Sequence, residues 1–167
     1  MREGIWAIDF ADEHPDAEVT GTDLSPIQPT WVPPNLKFYV DDVEGDWAYR
    51  EDEALDIIHG RGMVGAIADW PLLFRQIRKN LKPGGLVEMQ EYEGWLFSNK
   101  DISKTTTAHW QNLVNEGSSK FGKELDVARK LKPLMEECGF VDVREHIVKV
   151  RKPIVPMRWS GQLTAAI

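Results

Sequence analysis

Three aspartates stand directly after predicted strands, where a parallel sheet binds its ligands. Asp23 ends the β-branched stretch "AEVTGTD", and Asp41 and Asp42 follow "LKFYV". A carboxylate in the first position can accept hydrogen bonds from both ribose hydroxyls, and one on the next strand can accept from the exocyclic amine of adenine. Leu24 and Val43 would supply apolar walls for the ring. These residue types predict a site for an adenosine-shaped ligand.

An aspartate at a strand end also has an ordinary structural role, because its side chain can bond its own backbone in a turn. Of Asp41 and Asp42, one could cap a turn while the other meets the ligand. Gly60 and Arg61 follow the third predicted strand, "ALDIIH", at the same edge of the sheet. Arg61 could instead be a solvated or ion-paired surface residue. Both interpretations stay open for these residues.

The stretch "HGRGMVG" spells G-x-G-x-x-G with Gly60, Gly62 and Gly65, the spacing of a dinucleotide-binding loop. Such a loop needs an acid about 20 residues further on, at the end of the next strand. In that range the chain first offers Glu88 and Glu91, which come late. We therefore interpret the motif as a fortuitous match and keep an NAD-dependent oxidoreductase as the least favoured function.

The elements that must position these residues alternate between strand and helix patterns. A helix is predicted from Ile5 to about Glu13, and another after Asp69, a plausible N-cap, with Pro71 in its first turn. The other predicted elements are the strand "LVEMQEY", helices over Thr107–Gly117 and Lys123–Cys138, and the strand "FVDVREHIVKV". Alternation of this kind predicts an α/β fold with a mainly parallel, doubly wound sheet and helices on both faces.

Composition limits the possible partners and surroundings. The 167 residues carry a net charge of -7, which argues against nucleic acid as a partner, since phosphates are neutralised by Lys and Arg. No apolar run is long enough for a membrane span, and Cys138 is the single cysteine. The histidines show no metal-ligand spacing, so no metal site is expected. We expect a cytoplasmic protein, with the nucleus as a second possibility.

The chain resembles the S-adenosylmethionine-dependent class I methyltransferases of the fungal LaeA-like branch. The resemblance runs from Gly4 to about Val150 and rests on "AEVTGTDLSPIQPTWVPPNLKFYVDDVEGDW", "DIIHGRGM" and "DWPLLFRQIRKNLKPGGLVEMQEYE". It implies a Rossmann-like fold with S-adenosyl-L-methionine as cofactor. It further implies that Asp23 holds the ribose, that Asp42 lies by the adenine amine and that Gly60–Arg61 lines the donor pocket.

The chain departs from the family at both ends. Family members have a first strand and a G-x-G-x-G loop before the first helix, whereas this chain starts "MREGIW" and keeps the last loop glycine, Gly4. The absent strand is central in the family, so "AEVTGTD" and "ALDIIH" must pair directly or leave a gap. We expect residues 1–167 to form one incomplete domain, truncated at both ends, that lacks the usual first and last strands and binds its donor weakly.

The leading functional prediction is methyl transfer to a small-molecule or protein acceptor, with catalytic residues unassigned. Methyl transfer from a sulfonium needs mainly alignment, and a base helps only when the acceptor loses a proton. Candidate bases are His59, Glu91 and His109, and an acceptor pocket could be walled by Trp95, Phe97 and Trp110. The alternative is a non-catalytic regulatory protein that binds a protein partner.

Overall fold

The computed structural model describes residues 4–47, 53–95 and 101–149, together with the backbone of residues 161–166. The chain divides into two compact units, Met1–Trp47 and Ala48–Ile167, which we call the N-terminal and the C-terminal unit. The expectation that residues 1–167 form one domain stays a prediction.

The N-terminal unit is one helix and two parallel strands. Helix α1 is Ile5–Glu13, strand β1 is Val19–Asp23 and strand β2 is Leu36–Val40. The strands pair in register from Val19 opposite Leu36 to Asp23 opposite Val40. Asn35, just before β2, donates its side-chain amide to the carbonyls of Ala11, His14 and Ala17, at 2.9 to 3.1 Å. This amide therefore ties the end of α1 to the start of both strands, and the predicted elements of this unit are confirmed.

The described part of the C-terminal unit contains a four-stranded sheet and three α-helices. Its elements are β3 (Leu55–Arg61), α2 (Trp70–Asn80), β4 (Leu81–Gln90), α3 (Thr106–Lys120), α4 (Leu131–Glu137), β5 (Val141–Ile147) and β6 (Gly161–Ala166). The strand order is β3-β4-β6-β5, with β3 and β4 parallel and β6 antiparallel to both of its neighbours. The expected α/β class with parallel strands joined through a helix is confirmed.

Helix α2 supplies much of the buried core of the C-terminal unit. The Asp69 carboxylate accepts a hydrogen bond from the Leu72 N–H at 2.8 Å, as its N-cap position predicts. At helical spacing the helix buries Trp70, Leu73, Phe74 and Ile77. Helix α2 contacts β4 and α4, and α4 contacts β5. The Phe140 ring meets Phe74 edge-on, with 6.1 Å between the ring centroids.

Strand β4 shows how the sheet is covered. Alternate residues Val87 and Met89 are buried, at 0% and 1% exposure, whereas Leu86 between the buried positions Gly85 and Val87 is 41% exposed. The described residues thus cover one face of β4 more completely than the other. Among the described strands, β1 pairs with β2 alone and β3 pairs with β4 alone, so the direct pairing considered for "AEVTGTD" and "ALDIIH" is not found.

Two elements of the structure differ from the predicted ones. A strand after Ile147 was not expected, yet "GQLTAA" forms β6 between β4 and β5. The predicted helix over Lys123–Cys138 is shorter: a 3-10 turn at Ala128–Lys130 leads into α4, which begins at Leu131. The residues before the 3-10 turn are not helical. Instead, the carbonyl of Glu124 accepts a hydrogen bond from the Gly65 N–H at 3.2 Å. In the part of the chain that the structure describes, no helix is long and apolar enough to cross a membrane.

Candidate functional site

The aspartates predicted from the sequence lie at the carboxyl ends of β1 and β2. Asp23 is the last residue of β1, and its backbone carbonyl accepts a hydrogen bond from the Asp41 N–H at 3.1 Å. Asp42 follows directly, and all three side chains are exposed. The structure therefore brings the two ends of the predicted ribose and adenine site together within the N-terminal unit.

Each of these aspartates also orders its own turn. Oδ1 of Asp23 accepts from the Ser25 N–H at 2.8 Å, Oδ1 of Asp41 from the Asp42 N–H at 2.8 Å, and Oδ1 of Asp42 from the Glu44 N–H at 2.9 Å. All three aspartates therefore have the turn-forming role that the sequence left open as an alternative. Each of these bonds uses Oδ1, so the turn orients the carboxylate. The second oxygen, Oδ2, takes no part in that bond.

The two apolar residues predicted for the adenine ring differ in their surroundings. Leu24 is 68% exposed beside Asp23. Val43 is partly buried, and its carbonyl accepts a hydrogen bond from the Trp47 indole N–H at 2.9 Å. A large apolar side chain this exposed, directly after Asp23 in the sequence, is suited to contact the face of a flat ring.

Gly4 and Gly21 have a packing role around the Phe38 ring. Gly4 precedes α1 with φ +73°, a conformation that favours glycine, and a Cβ there would lie 2.6 Å from the ring of Phe38. Gly21, inside β1, faces the same ring so closely that a Cβ would overlap it. The sequence prediction missed Gly21, whose signal was a glycine within an otherwise β-branched strand.

Gly60 and Arg61 lie inside β3, where the sequence prediction placed them just beyond it. Gly60 is buried opposite Met89, and a Cβ on it would come within 3.0 Å of the sulfur atoms of both Met89 and Met63. Arg61, opposite Gln90, is exposed. The strand runs longer because the chain stays paired with β4 as far as Gly62, whose N–H donates to the Gln90 carbonyl at 3.1 Å.

Glu91 holds the loop that follows β3. The carboxylate, 8% exposed, accepts hydrogen bonds from the Met63 N–H at 2.7 Å and the Val64 N–H at 3.1 Å. Burial raises the pKa of Glu91, and these two backbone hydrogen bonds offset part of that rise. Glu91 was predicted as a candidate base, whereas its contacts in the structure are those of a residue that positions the loop.

A second titratable pair joins β3 to β4. His59 and Glu88 are opposite each other in register, with 2.8 Å between Nδ1 of the histidine and Oε2 of the glutamate. Burial lowers the pKa of His59, and the hydrogen bond and charge of Glu88 oppose that change. A neutral imidazole held by a carboxylate can accept a proton. The role of His59 as a base stays a prediction, because Nδ1 contacts Glu88 and Nε2 is buried.

The glycines of "HGRGMVG" each have a structural explanation within the C-terminal unit. Gly60 makes room for methionine sulfur, Gly62 turns the chain with φ +68°, and Gly65 turns it with φ +77° against Leu125. At the start of α2, where a dinucleotide loop would place a pyrophosphate, the carboxylate of Asp69 already caps the helix. These contacts support the interpretation of the motif as a fortuitous match.

A small open groove of about 40 Å³ lies between the segment after β4 and helix α3. It is lined by Gly94, Trp95, Trp110, Gln111, Val114, Asn115 and Leu125. Trp95 and Trp110, predicted as walls of an acceptor pocket, are thus brought together. Phe97, predicted with them, lies outside the described residues. His109, the third candidate base, lies near the start of α3, and the described residues include no cluster of His, Cys, Asp and Glu able to hold a metal ion.

Known proteins show the family to which this chain belongs. The methyltransferase domain family matches residues 2–145. The chain is 39% identical over 150 residues to methyltransferase pytC of Aspergillus terreus, covering 88% of this chain and 46% of that protein. It is 33% identical over 148 residues to protein-methionine methyltransferase laeA of Emericella nidulans, covering 87% of this chain and 39% of that protein. The chain therefore spans less than half the length of either relative.

A solved structure shows the same fold. Phosphoethanolamine N-methyltransferase 2 of Haemonchus contortus, in complex with S-adenosyl-L-methionine, superposes with a TM-score of 0.58 at 20% identity, covering 83% of this chain and 31% of that one. The strands and crossovers thus define a Rossmann-like α/β protein. The chain belongs to the methyltransferase domain family, whose methyl donor is S-adenosyl-L-methionine, and resembles its fungal PytC and LaeA-like members.

Proposed function

We propose that this chain is an S-adenosyl-L-methionine-dependent methyltransferase whose N-terminal unit holds the adenosine part of the donor. One observation carries the proposal: exposed carboxylates of Asp23, Asp41 and Asp42 stand at the carboxyl ends of two adjacent parallel strands, each oriented by a backbone N–H. The ribose hydroxyls and the adenine amine are hydrogen-bond donors, so acceptor oxygens fixed in this way suit them.

Each predicted donor residue receives a role in this proposal. Asp23 accepts from the ribose, Asp42 or Asp41 accepts from the amine, and Leu24 and Val43 contact the ring. Gly4 keeps the chain close to Phe38 before α1. For Gly60 and Arg61 of the C-terminal unit, the donor-lining role stays a prediction from the sequence, and Glu91 fixes the loop that follows them.

The charge of the N-terminal unit favours this ligand over a dinucleotide. Between residues 4 and 47, Lys37 is the one lysine or arginine, whereas acidic side chains occur throughout. A pyrophosphate needs cations or helix N–H groups to offset its charge, and a row of carboxylates repels it. A ligand that offers hydroxyl and amine donors meets no such repulsion.

The bound donor supplies a methyl group on a positively charged sulfur, which is already activated for transfer. The residues of the chain then have to bind and align rather than to create a nucleophile. Where the acceptor must lose a proton, His59 and His109 remain candidate bases. A small molecule and a protein both remain candidate acceptors, and the name of the laeA relative, a protein-methionine methyltransferase, applies to that relative.

The test is calorimetric titration of the 167-residue chain with S-adenosylhomocysteine, with NAD as the control ligand and circular dichroism to verify folding. Asp23→Ala should weaken binding by about 1.5 to 3 kcal/mol because it removes a charged acceptor. Asp23→Asn retains a carbonyl for the Ser25 N–H, so it separates the loss of charge from the loss of the turn. Asp16→Ala, an exposed acid of the same unit outside the strand ends, is the matched control.

Micromolar binding that depends on Asp23 and not on Asp16 supports the proposal. Equal losses from Asp23→Ala and Asp16→Ala would reject the proposed site. A folded chain that binds neither ligand would instead favour the non-catalytic regulatory function, and preferential binding of NAD would favour an oxidoreductase.

A further inference from the structure

Helix α3 exposes its large apolar side chains and buries a polar one. Within Thr106–Lys120, all of which the structure describes, Gln111 is the single buried residue, at 5% exposure. The large apolar side chains, between 37% and 84% exposed, are Trp110, Leu113, Val114 and the C-cap residue Phe121. A surface helix of a globular domain normally has the opposite arrangement, with its apolar residues toward the core. The exposed side of α3 therefore has the chemistry of an interface.

These side chains form one stripe along the helix. Trp110, Val114, Gly117 and Phe121 follow one another at intervals of four, three and four residues, the spacing of a helix that packs along another helix. Leu113 borders this set, and we call the five residues the α3 stripe. A Cβ on Gly117 would meet no atom within 4 Å, so the middle of the stripe is open.

The α3 stripe is complementary to itself. When the helix is turned end over end about its midpoint, Trp110 falls on the position of Phe121, and Val114 falls on that of Gly117. Two antiparallel copies would thus place an indole against a phenyl ring at both ends and a valine beside a glycine twice in the middle. Aromatic pairs contribute beyond their buried area, and an alanine in place of the glycine would still fit between helices about 8 to 10 Å apart. Self-complementarity of this kind is what a two-fold symmetric dimer requires.

Charge does not oppose such a contact, although the chain as a whole carries a net charge of -7. The acidic and basic residues of α3 are Glu116 and Lys120, which pair with each other at 2.9 Å between Oε1 and Nζ. The helix is therefore neutral overall. An antiparallel arrangement also places the positive N-terminal end of each helix beside the negative C-terminal end of the other.

The exposed apolar area is enough for a weak dimer. Taking about 200 Å² for a whole aromatic side chain and somewhat less for an aliphatic one, the stripe exposes roughly 400 Å² of apolar side chain per copy. With the polar flanks of the helix, two copies would bury on the order of 1,000 Å², the lower end of the range for specific interfaces. We therefore expect dissociation in the micromolar range.

We propose that the α3 stripe is a homodimer interface, in which the α3 helices of two copies pack antiparallel with Trp110 of each copy against Phe121 of the other. The proposal commits to a second copy of this chain as the partner. It is independent of the proposed methyl transfer, because it uses none of the residues assigned to the donor.

The first test is analytical ultracentrifugation of the 167-residue chain at concentrations that span the micromolar range. The average mass should rise from that of one chain towards that of two. Phe121→Glu should weaken association at least about tenfold, because it places a carboxylate against an indole ring in the interface. Trp31→Glu is the matched control: it adds the same charge at a tryptophan 78% exposed in the N-terminal unit, and association should not change. Circular dichroism verifies that both variants fold.

The second test fixes the direction of pairing. Trp110→Lys and Phe121→Glu should each dimerise poorly alone, whereas an equimolar mixture should associate at least about tenfold more tightly than either. In the mixed dimer the new ammonium meets the new carboxylate at one end, and the native aromatic pair remains at the other. A mixture of Trp31→Lys with Phe121→Glu is the control and should show no recovery.

Three results would overturn the proposal. These are a native chain that remains monomeric throughout the micromolar range, native-strength association in Phe121→Glu, and a mixture of Trp110→Lys with Phe121→Glu that does not recover. Calorimetry on Phe121→Glu keeps the two proposals separate, since its affinity for S-adenosylhomocysteine should equal that of the native chain. Loss of dimerisation without loss of donor affinity supports the interface, and failure of either proposal leaves the other intact.

Discussion

The two units of this chain differ in how much apolar surface they bury. In the C-terminal unit α2 buries four large apolar side chains, including Phe74 at 0% exposure, and β4 adds Val87 and Met89. In the N-terminal unit the buried apolar side chains within residues 4–47 are Ala11, Pro33 and Leu36, whereas Trp31, Tyr39 and Val40 are all more than half exposed. Packing therefore stabilises the two units to different degrees.

This difference bears on function because the aspartates proposed to bind adenosine, Asp23, Asp41 and Asp42, all belong to the thinly packed unit. When the acceptor oxygens of a site lie on a weakly stabilised segment, ordering that segment on binding consumes part of the binding free energy. We therefore expect donor affinity to depend on the packing of the N-terminal unit as much as on the carboxylates themselves.

The largest expected effect comes from the core of the C-terminal unit. Phe74→Ala removes a fully buried ring that contacts Phe140 and should cost about 3 to 5 kcal/mol of unfolding free energy. Tyr39→Ala, at a position 52% exposed in β2, should cost about 1 kcal/mol or less. Urea denaturation followed by circular dichroism measures both. Similar losses of unfolding free energy at the two positions would contradict the proposed difference in packing between the units.

The second prediction concerns the tightest contact of the N-terminal unit. Gly21→Ala would force the Phe38 ring to move, so we expect a loss of about 1 to 3 kcal/mol in stability. S-adenosylhomocysteine should also bind more weakly, because Asp23 lies two residues further along β1. Gly117→Ala is the matched control in α3: no atom lies within 4 Å of its Cβ, and a helix gains roughly 0.5 to 1 kcal/mol from this change. Equal stabilisation by both substitutions would contradict the packing role of Gly21.

The parts of the fold that could be predicted have strong local signals. Helix α2 combines apolar residues at helical spacing with an aspartate cap and a proline in the first turn, and these signals placed it correctly at Trp70. Strands β1 and β2 were predicted from β-branched and aromatic runs that end at acids. The acids could be predicted as site residues because a parallel sheet binds ligands at the edge formed by the carboxyl ends of its strands, and this rule needs only the sequence positions of the strands.

The parts that could not be predicted depend on contacts between distant segments. Strand β6 has the sequence "GQLTAA", which lacks an alternating pattern of large apolar residues, and it forms by pairing with β4 and β5. The roles of Gly21 and Glu91 depend on which atoms approach them from elsewhere in the chain. The groove beside α3 similarly requires Gly94 and Trp95 to meet a helix that begins at Thr106.

The third prediction tests the loop that follows Gly60 and Arg61. Glu91→Gln keeps the size of the side chain but leaves one oxygen to accept from Met63 and Val64, so one backbone N–H loses its partner. The loss of this bond is offset in part because no buried charge remains, and we expect a net cost of about 1 kcal/mol. Glu116→Gln, at an exposed ion pair with Lys120, is the control and should change stability by at most about 0.5 kcal/mol.

Binding should distinguish the role of this loop further. If Glu91 positions the loop, Glu91→Gln should weaken S-adenosylhomocysteine binding, because the loop directly follows Gly60 and Arg61, which are predicted to line the donor pocket. If Glu91 acted only as a base, that affinity would stay unchanged and only turnover would fall. Calorimetry on the variant therefore separates positioning from proton transfer.

The smallest effect is a pH dependence of the C-terminal unit that originates at His59. Burial lowers the pKa of His59 below 6.5 in the folded chain, so the unfolded chain takes up the proton first as the pH falls. The stability linked to His59 is thus present above pH 6.5 and is lost as the pH falls from 6.5 towards the folded pKa. Glu91 has the opposite sign: its raised pKa gives stability that is present below pH 4.5 and is lost as the pH rises through the folded pKa.

His59→Gln isolates the histidine contribution from that of Glu91, which both proteins retain. Urea midpoints at pH 7.5 and 5.5 should show a smaller decrease in the variant than in the native chain, since the variant has no imidazole to protonate. The same decrease in both would mean that another group controls the acid response. Because His59 and Glu88 link β3 to β4 in the well-packed unit, this decrease should accompany unfolding of the C-terminal core. The difference in stability between the two units would then become smaller as the pH falls.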